Sequence, residues 1–497
     1  MPCCMHGYTR RQMLAGMSAV PFLQAAATAP ILKPGERRTL RVQPVLVYSL
    51  FKRRPQTSWR PWGGLFTEKE VAEERARIQG ELAAVAKSAG YPVDFLPLRE
   101  ITSVDQGKQV AAGEYDTLLM YAACGSVQLL ESVSRADRST IVFVRHRSGP
   151  VYEWYEIVSP RYLRKMVDEF GQPAVDVADV VVDDLGDVAW RLRALGGVKN
   201  TLGRRIVCLG GPAGWGAGGR KAPQFARDIF KMDLVDVGYD ELSRRLKEAR
   251  SQDAVVKVAR QEAGAYLAAP GVKLETDRMY VENAFVLTKV IRDLMTEAGA
   301  TAFTIHNCMS TVMPIGETTA CLPLSLLNGS GYLAFCESDF VVIPSGVLLA
   351  SISGLPVFLN DPTTPHHGLV TLAHCTAPRK MDGKTDEPVR VVAHFESDYG
   401  AAPKVEMRIG QKLTNIVPDF NFKRWVGFEG EVAGNPFLPI CRSQIDVGIH
   451  GSDERLLQEM RGFHWMTGYG NYLAETGYAL KKIGIEWLDL TRETKRA

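Results

Sequence analysis

Glu337 and Asp361 each follow a short apolar run, one in Cys336-Glu337-Ser338-Asp339 and the other closing Val357-Phe358-Leu359-Asn360-Asp361. The stretch between them is long enough for a helix, which predicts two acids at successive strand ends on one edge of a sheet. Open α/β sheets bind ligands outside the carboxyl ends of their strands. His374 and His464 follow downstream and add imidazole nitrogens, so the set could assemble one oxygen-and-nitrogen metal site. An enzyme is the leading expectation. Asp339 lies just ahead of a predicted helix at Pro344 and suits a helix cap. His366 and His367 are flanked by proline and predict an exposed loop.

The elements that must carry these residues read as alternating strands and helices. Thr39–Leu50, Val93–Leu98, Thr117–Ala122 and Thr140–Val144 are short apolar runs, separated by helix-period stretches such as Glu68–Gly90. A second set comprises Arg205–Leu209, Leu234–Val237, Thr301–Ile305, Tyr332–Phe335 and Pro356–Leu359. Beyond about residue 375 short alternating segments take over, among them Val389–Phe395, Lys404–Ile409 and Arg424–Val432. The expected fold class is α/β, with two doubly wound, Rossmann-like domains at 38–183 and 184–373. A small β-barrel-like domain with a terminal helix is expected at 374–497.

With 497 residues, 46% hydrophobic and 23% charged, the chain can bury several cores. A formal charge of only +3 and the lack of any long basic run argue against nucleic acid as a partner. Arg10-Arg11 immediately before an apolar, alanine-rich stretch predicts a twin-arginine export signal over 1–29, and hence a periplasmic or secreted protein. That stretch is too short to span a bilayer. Of nine cysteines, Cys3 and Cys4 fall in the signal, leaving seven. An odd, scattered set predicts no disulfide framework, and the absence of a Cys-x-x-Cys pair argues against structural zinc. Most are expected to be small buried hydrophobes.

Three further segments combine types that bind ligands. Gly210–Gly219 is glycine-rich after a strand, but matches neither a P-loop nor a dinucleotide fingerprint, so it predicts a flexible loop or a ligand-contacting one. Arg60-Pro61-Trp62-Gly63-Gly64 joins a cation to an indole and could stack on a sugar or pack as a turn. Arg145-His146 at a strand end is either structural or a ligand contact.

Four runs together resemble the metal-site region of the L-fucose and L-arabinose isomerase superfamily. They are Cys321-Leu322-Pro323-Leu324-Ser325-Leu326-Leu327-Asn328, then Cys336-Glu337-Ser338-Asp339, Gly354-Leu355-Pro356-Val357-Phe358-Leu359-Asn360-Asp361 and Ala373-His374-Cys375. Gly462-Phe463-His464-Trp465 is similar to the segment with the family's late metal-binding histidine. The resemblance implies that Glu337 and Asp361 are metal ligands and also the acid/base groups, with His464 completing the site and His374 as a further ligand. Arg60, Trp62 and Trp465 are the candidate sugar contacts. It also implies a homo-oligomer and an aldose–ketose isomerase, whose hard ligand set favours Mn2+ or a similar divalent ion. Two other classes remain open: an exported non-catalytic sugar-binding protein, and a metal-dependent lyase, epimerase or hydrolase on the same scaffold.

Overall fold

The computed structural model describes residues 32–491 apart from 154–157, 166, 168–170 and 173. The expected export signal therefore lies outside the described residues, as does part of the helix predicted near 160–170. Two compact units form. One holds Thr39–Leu195, and the other joins the segment ending at Arg38 to Gly196 and all that follows. Among the described residues no helix is long and apolar enough to cross a membrane.

The first unit is built on β1 (Leu40–Val47), β2 (Val93–Phe95), β3 (Arg99–Ile101), β4 (Thr117–Ala122), β5 (Ser139–Val144) and β6 (Val180–Val182). They pair in parallel in the order β2-β1-β4-β5-β6, with β3 on the second half of β1. Every residue of β4 and β5 is buried, as parallel strands covered on both faces require. Helix Glu68–Ser88 starts at a capping box in which Thr67 and Glu70 satisfy each other's backbone amides. It turns Val71, Ile78, Leu82 and Val85 inward at helical spacing.

Glu74 is buried on that same helix face and meets Arg145 at the end of β5, Nε to Oε1 2.6 Å. Arg145 also grips Glu81 with both terminal nitrogens, at 2.9 and 2.7 Å. The structural reading of Arg145 is therefore the correct one. Removing one partner of a buried pair leaves the other charge uncompensated, so Arg145→Met is expected to destabilise the first unit by roughly 3–5 kcal/mol. Urea unfolding followed by circular dichroism measures this.

The second unit opens with β7 (Arg205–Leu209), β8 (Asp233–Val237), β9 (Val272–Glu275), β10 (Ala302–Ile305) and β11 (Leu333–Phe335). All but β9 form a parallel sheet ordered β11-β10-β7-β8. Helix Arg278–Glu297, capped by Asp277, buries Val281, Ala284, Phe285, Ile291 and Leu294 in the core of that sheet. Nine strands follow: β12 (Val357–Pro362), β13 (Leu369–His374), β14 (Val389–Val392), β15 (Ala402–Val405), β16 (Lys412–Val417), β17 (Arg424–Gly434), β18 (Ser443–Ile449), β19 (Trp465–Tyr469) and β20 (Glu486–Asp489).

Six of them close an antiparallel barrel in the order β16-β19-β12-β13-β18-β17, with β17 returning to β16 and β20 added outside in parallel. Strands β14 and β15 stand apart from it, in a three-stranded sheet with β9. The chain thus combines parallel α/β sheets with a closed barrel.

Three strands depart from expectation: β14 and β15, expected in the C-terminal barrel, lie outside it, and β12 lies inside it. Pro356–Leu359 was predicted in the second parallel sheet, yet β12 pairs antiparallel with β13 and β19 and opens the barrel. A short continuous apolar run looks alike in a parallel strand and in a barrel strand with its outer face covered. Here the cover is helix Ile343–Ser353, buried from Ile343 to Ile352. At Gly346 a Cβ would stand 2.6 Å from both Phe335 of β11 and Met466 of β19. Only glycine lets the helix seat that closely between sheet and barrel.

Candidate metal centre

Strand register assembles the centre. Asn360 on β12 lies opposite Trp465 on β19, so the residues one step further along, Asp361 and His464, meet at the barrel edge. His464 Nε2 is 3.3 Å from Asp361 Oδ1. On the other side of β12, Asp361 pairs with Ala373, which brings His374 at the end of β13 alongside. The fourth group arrives from the parallel sheet: Glu337 follows β11, with Oε2 3.3 Å from His464 Nε2 and Oε1 3.9 Å from His374 Nε2. All four predicted ligands therefore converge. Their origin differs from expectation, since three come from the barrel and one from the sheet.

Backbone at this point is strained. Glu337 and Ser338 are consecutive non-glycine residues in the left-handed region, at φ 63° and 49°, each costing about 1–3 kcal/mol unless the surroundings fix it. The glycine-rich loop does the fixing. Ala213 N donates to Ser338 O at 3.2 Å, and Phe340 N donates back to Ala213 O at 3.0 Å. Within that loop Gly214 and Gly219 lie backbone to backbone, so close that a Cβ on Gly214 would stand 2.1 Å from Gly219 O.

Asp339 is not the cap its position suggests, since helix Ile343–Ser353 has Val342 at its N-cap and no side-chain cap bond. One carboxylate oxygen accepts from Trp215 N at 3.0 Å and Val341 N at 3.1 Å, and the other from His464 Nδ1 at 2.7 Å. A carboxylate on the far nitrogen of an imidazole fixes the ring and strengthens it as a ligand. His374 has a similar partner in Thr376 Oγ1, 3.2 Å from its Nδ1.

The nitrogens and oxygen left over are informative. Asp361 Oδ1, His374 Nε2 and His464 Nε2 are buried and make no hydrogen bond. Such atoms are nearly always paired in folded proteins. Three that lie within 4.8 Å of one another, each a good metal donor, fit a divalent cation, and Glu337 adds a second carboxylate.

Charge states follow from burial and neighbours. Burial pushes the Asp361 carboxyl up to about 7 and the His374 imidazole down to about 4. Burial also opposes charge on His464, but the Asp339 hydrogen bond and the adjacent Glu337 and Asp361 carboxylates outweigh it and raise that imidazole to about 10. For Glu337 burial acts upward, and the close His464 imidazole with the other nearby imidazoles overcomes it, holding the carboxyl below its usual range.

The candidate sugar contacts fare differently. Trp465 is completely buried in the barrel core, its indole N–H on Arg461 O at 3.2 Å. It packs the barrel instead of facing a ligand, because the side chain after His464 points to the opposite face of its strand. Arg60 and Trp62 belong to the first unit, Arg60 lying over Trp59 and Phe66 and Trp62 74% exposed. His366 and His367 occupy an exposed turn, as expected.

An aromatic pair was overlooked. Trp215 of the glycine-rich loop stacks on Phe463, centroids 4.5 Å apart, and both rings turn an edge or face to His464. Both are partly exposed, at 44% and 42%. The available signal was a tryptophan inside a glycine run and a phenylalanine beside the late histidine. No known protein-family model matches the chain, and no curated protein matches it either.

Proposed function

We propose that the chain is a metal-dependent aldose–ketose isomerase acting on a sugar through a cis-enediolate. The observation that carries this reading is the convergence of Glu337, Asp361, His374 and His464, with three of their donor atoms buried and without a hydrogen bond. Isomerisation moves one proton between adjacent carbons and another between their oxygens. It therefore needs two proton carriers around an electrophile, and two carboxylates beside imidazoles supply that set.

Glu337, Asp361, His464 and His374 would hold the cation. A hard divalent ion bound there, manganese or similar, would stabilise negative charge developing on the two sugar oxygens. The carboxylates of Glu337 and Asp361 carry the protons, and Asp339 keeps His464 in its ligating orientation through Nδ1. The stacked Trp215–Phe463 pair offers the apolar face of a sugar a surface next to the reacting carbons. Trp215→Ala is expected to raise KM about tenfold with a smaller change in kcat, the signature of lost binding that is uniform along the reaction. Steady-state kinetics on the best substrate measure it.

On the same reading the two parallel sheets correspond to two doubly wound domains, and the protein is an exported homo-oligomer. The test of activity is a panel of pentoses, hexoses and deoxyhexoses given to manganese-loaded protein in deuterated water. Ketose of unchanged carbon skeleton, with deuterium next to the carbonyl, is the expected product. A loaded protein that isomerises none of them defeats the reading, and shorter or dehydrated products turn it toward a lyase.

A further inference from the structure

Behind His374 the chain gathers sulfur. Cys375, the next residue, lies with Cys321 and His394 so that one donor atom from each falls within 4.8 Å of the others. All three are buried, at 2%, 4% and 4% exposure. A third thiol, Cys441, lies outside that group but packs against the two cysteines. Cys441 is partly exposed, which gives the cluster a way in from solvent.

Each donor sits on a different element. Cys321 opens helix Cys321–Gly329, and Cys375 follows β13 of the barrel. His394 follows β14 of the three-stranded sheet, and Cys441 precedes β18. This explains why no Cys-x-x-Cys spacing announces the group.

We propose that Cys321, Cys375, Cys441 and His394 form a second metal site, structural in role and selective for a borderline-soft divalent cation of the zinc class. Three thiolates and an imidazole are a ligand set that zinc takes in closed, four-coordinate structural sites. They are chemically distinct from the carboxylate-rich set around Asp361. The supporting groups are of the kind that orient ligands. Arg442 N donates to Cys375 Sγ at 3.3 Å, and His394 Nδ1 lies 3.4 Å from Ser397 Oγ, which leaves the other ring nitrogen for a ligand. Arg442, anchored by its Nε on Ala393 O at 2.7 Å, brings a positive charge to a site that three thiolates would leave negative. A cation here would tie helix, barrel and three-stranded sheet together at the back of His374. The proposal does not depend on isomerase activity.

The experiment uses full-length protein stripped of metal under reducing conditions and reloaded with cobalt(II) alone. Thiolate-to-cobalt charge-transfer absorption in the near ultraviolet is expected, saturating at about one equivalent as for a single closed site. The band should survive in Asp361→Asn and in Cys336→Ser, and be lost or strongly weakened in Cys321→Ser and Cys441→Ser. Zinc should also protect Cys321, Cys375 and Cys441 from alkylation, mapped by mass spectrometry on wild-type protein, so the proposal stays open to test even where a variant fails to fold. Wild-type protein without the band overturns it. So does a band that persists in both cysteine variants, or a native chain in which Cys321 and Cys375 are joined as a disulfide.

Discussion

Asp361→Asn is expected to lower turnover by about a thousandfold or more, because under the proposed isomerase function it removes at once a proton carrier and a charged ligand. The substitution keeps shape and nearly keeps volume, so the barrel register around it, with Ala373 opposite, has no reason to change. What changes is chemistry: a carboxylate oxygen with no hydrogen-bond partner becomes an amide that neither accepts a proton at neutral pH nor neutralises a cation. Turnover and bound manganese should be measured on the same samples. Occupancy restored by excess metal while turnover stays low assigns Asp361 to proton transfer as well as ligation. Recovery of both together confines it to ligation, and wild-type turnover in the variant removes it from the centre. Glu337→Gln is expected to behave alike, since its carboxylate lies 3.3 Å from the same imidazole nitrogen.

The second large effect is on metal affinity against pH. In the metal-free protein Asp361 holds a proton up to about pH 7 and His464 up to about pH 10, whereas His374 is neutral above about pH 4. A cation entering below pH 7 must expel two protons, and between 7 and 10 only one. Affinity therefore rises with pH. The gain is about a hundredfold from His464 and about tenfold from Asp361 between roughly pH 6 and 8, or about a thousandfold in all. Chelator competition gives the affinities, and calorimetry in buffers of different ionisation enthalpy counts the released protons. A flat profile would exclude these two groups as ligands. In Asp339→Asn the pH dependence should be shallower, since the 2.7 Å hydrogen bond that holds the proton on His464 is weakened.

Residue types and their order make the four candidate ligands visible in the sequence, and their assembly is not visible there. Glu337 could be placed after an apolar strand because the parallel sheet does end there, at β11. Asp361 was assigned to the same sheet because Val357–Leu359 is apolar without alternation, and only the pairing with β13 and β19 reveals a barrel strand. Antiparallel register across some hundred residues of chain has no local signature, so residue types allow Asp361 and His464 to share a site but do not show how they meet. Asp339 misled for a different reason. It does accept a nearby amide, from Val341, as a local turn residue would, while its second oxygen serves His464 from far along the chain. Trp465 was a neighbour error: adjacent to a ligand in sequence, it faces the other way. Taken singly the cysteines look like small hydrophobes, and three separate elements are needed to bring Cys321 and Cys375 beside His394, with Cys441 packed against the two cysteines.

Closure of the barrel has a consequence for how this centre can change over time. With β17 returning to β16, every barrel strand has a partner on both sides, so none can shift without breaking its pairings with both neighbours. Side chains alternate between faces along a strand, and a displacement of one residue reverses every one of them. Ligand positions on β12 and β13 are therefore all-or-none quantities: loss or gain of a single residue there would send Asp361 or His374 to the wrong face. The loops obey no such arithmetic. Gly210–Gly219 and the segment around Phe463 touch the centre without belonging to the ring. Descendants of this chain can alter what is bound by rewriting those loops, and lose the centre altogether by a one-residue slip in the strands.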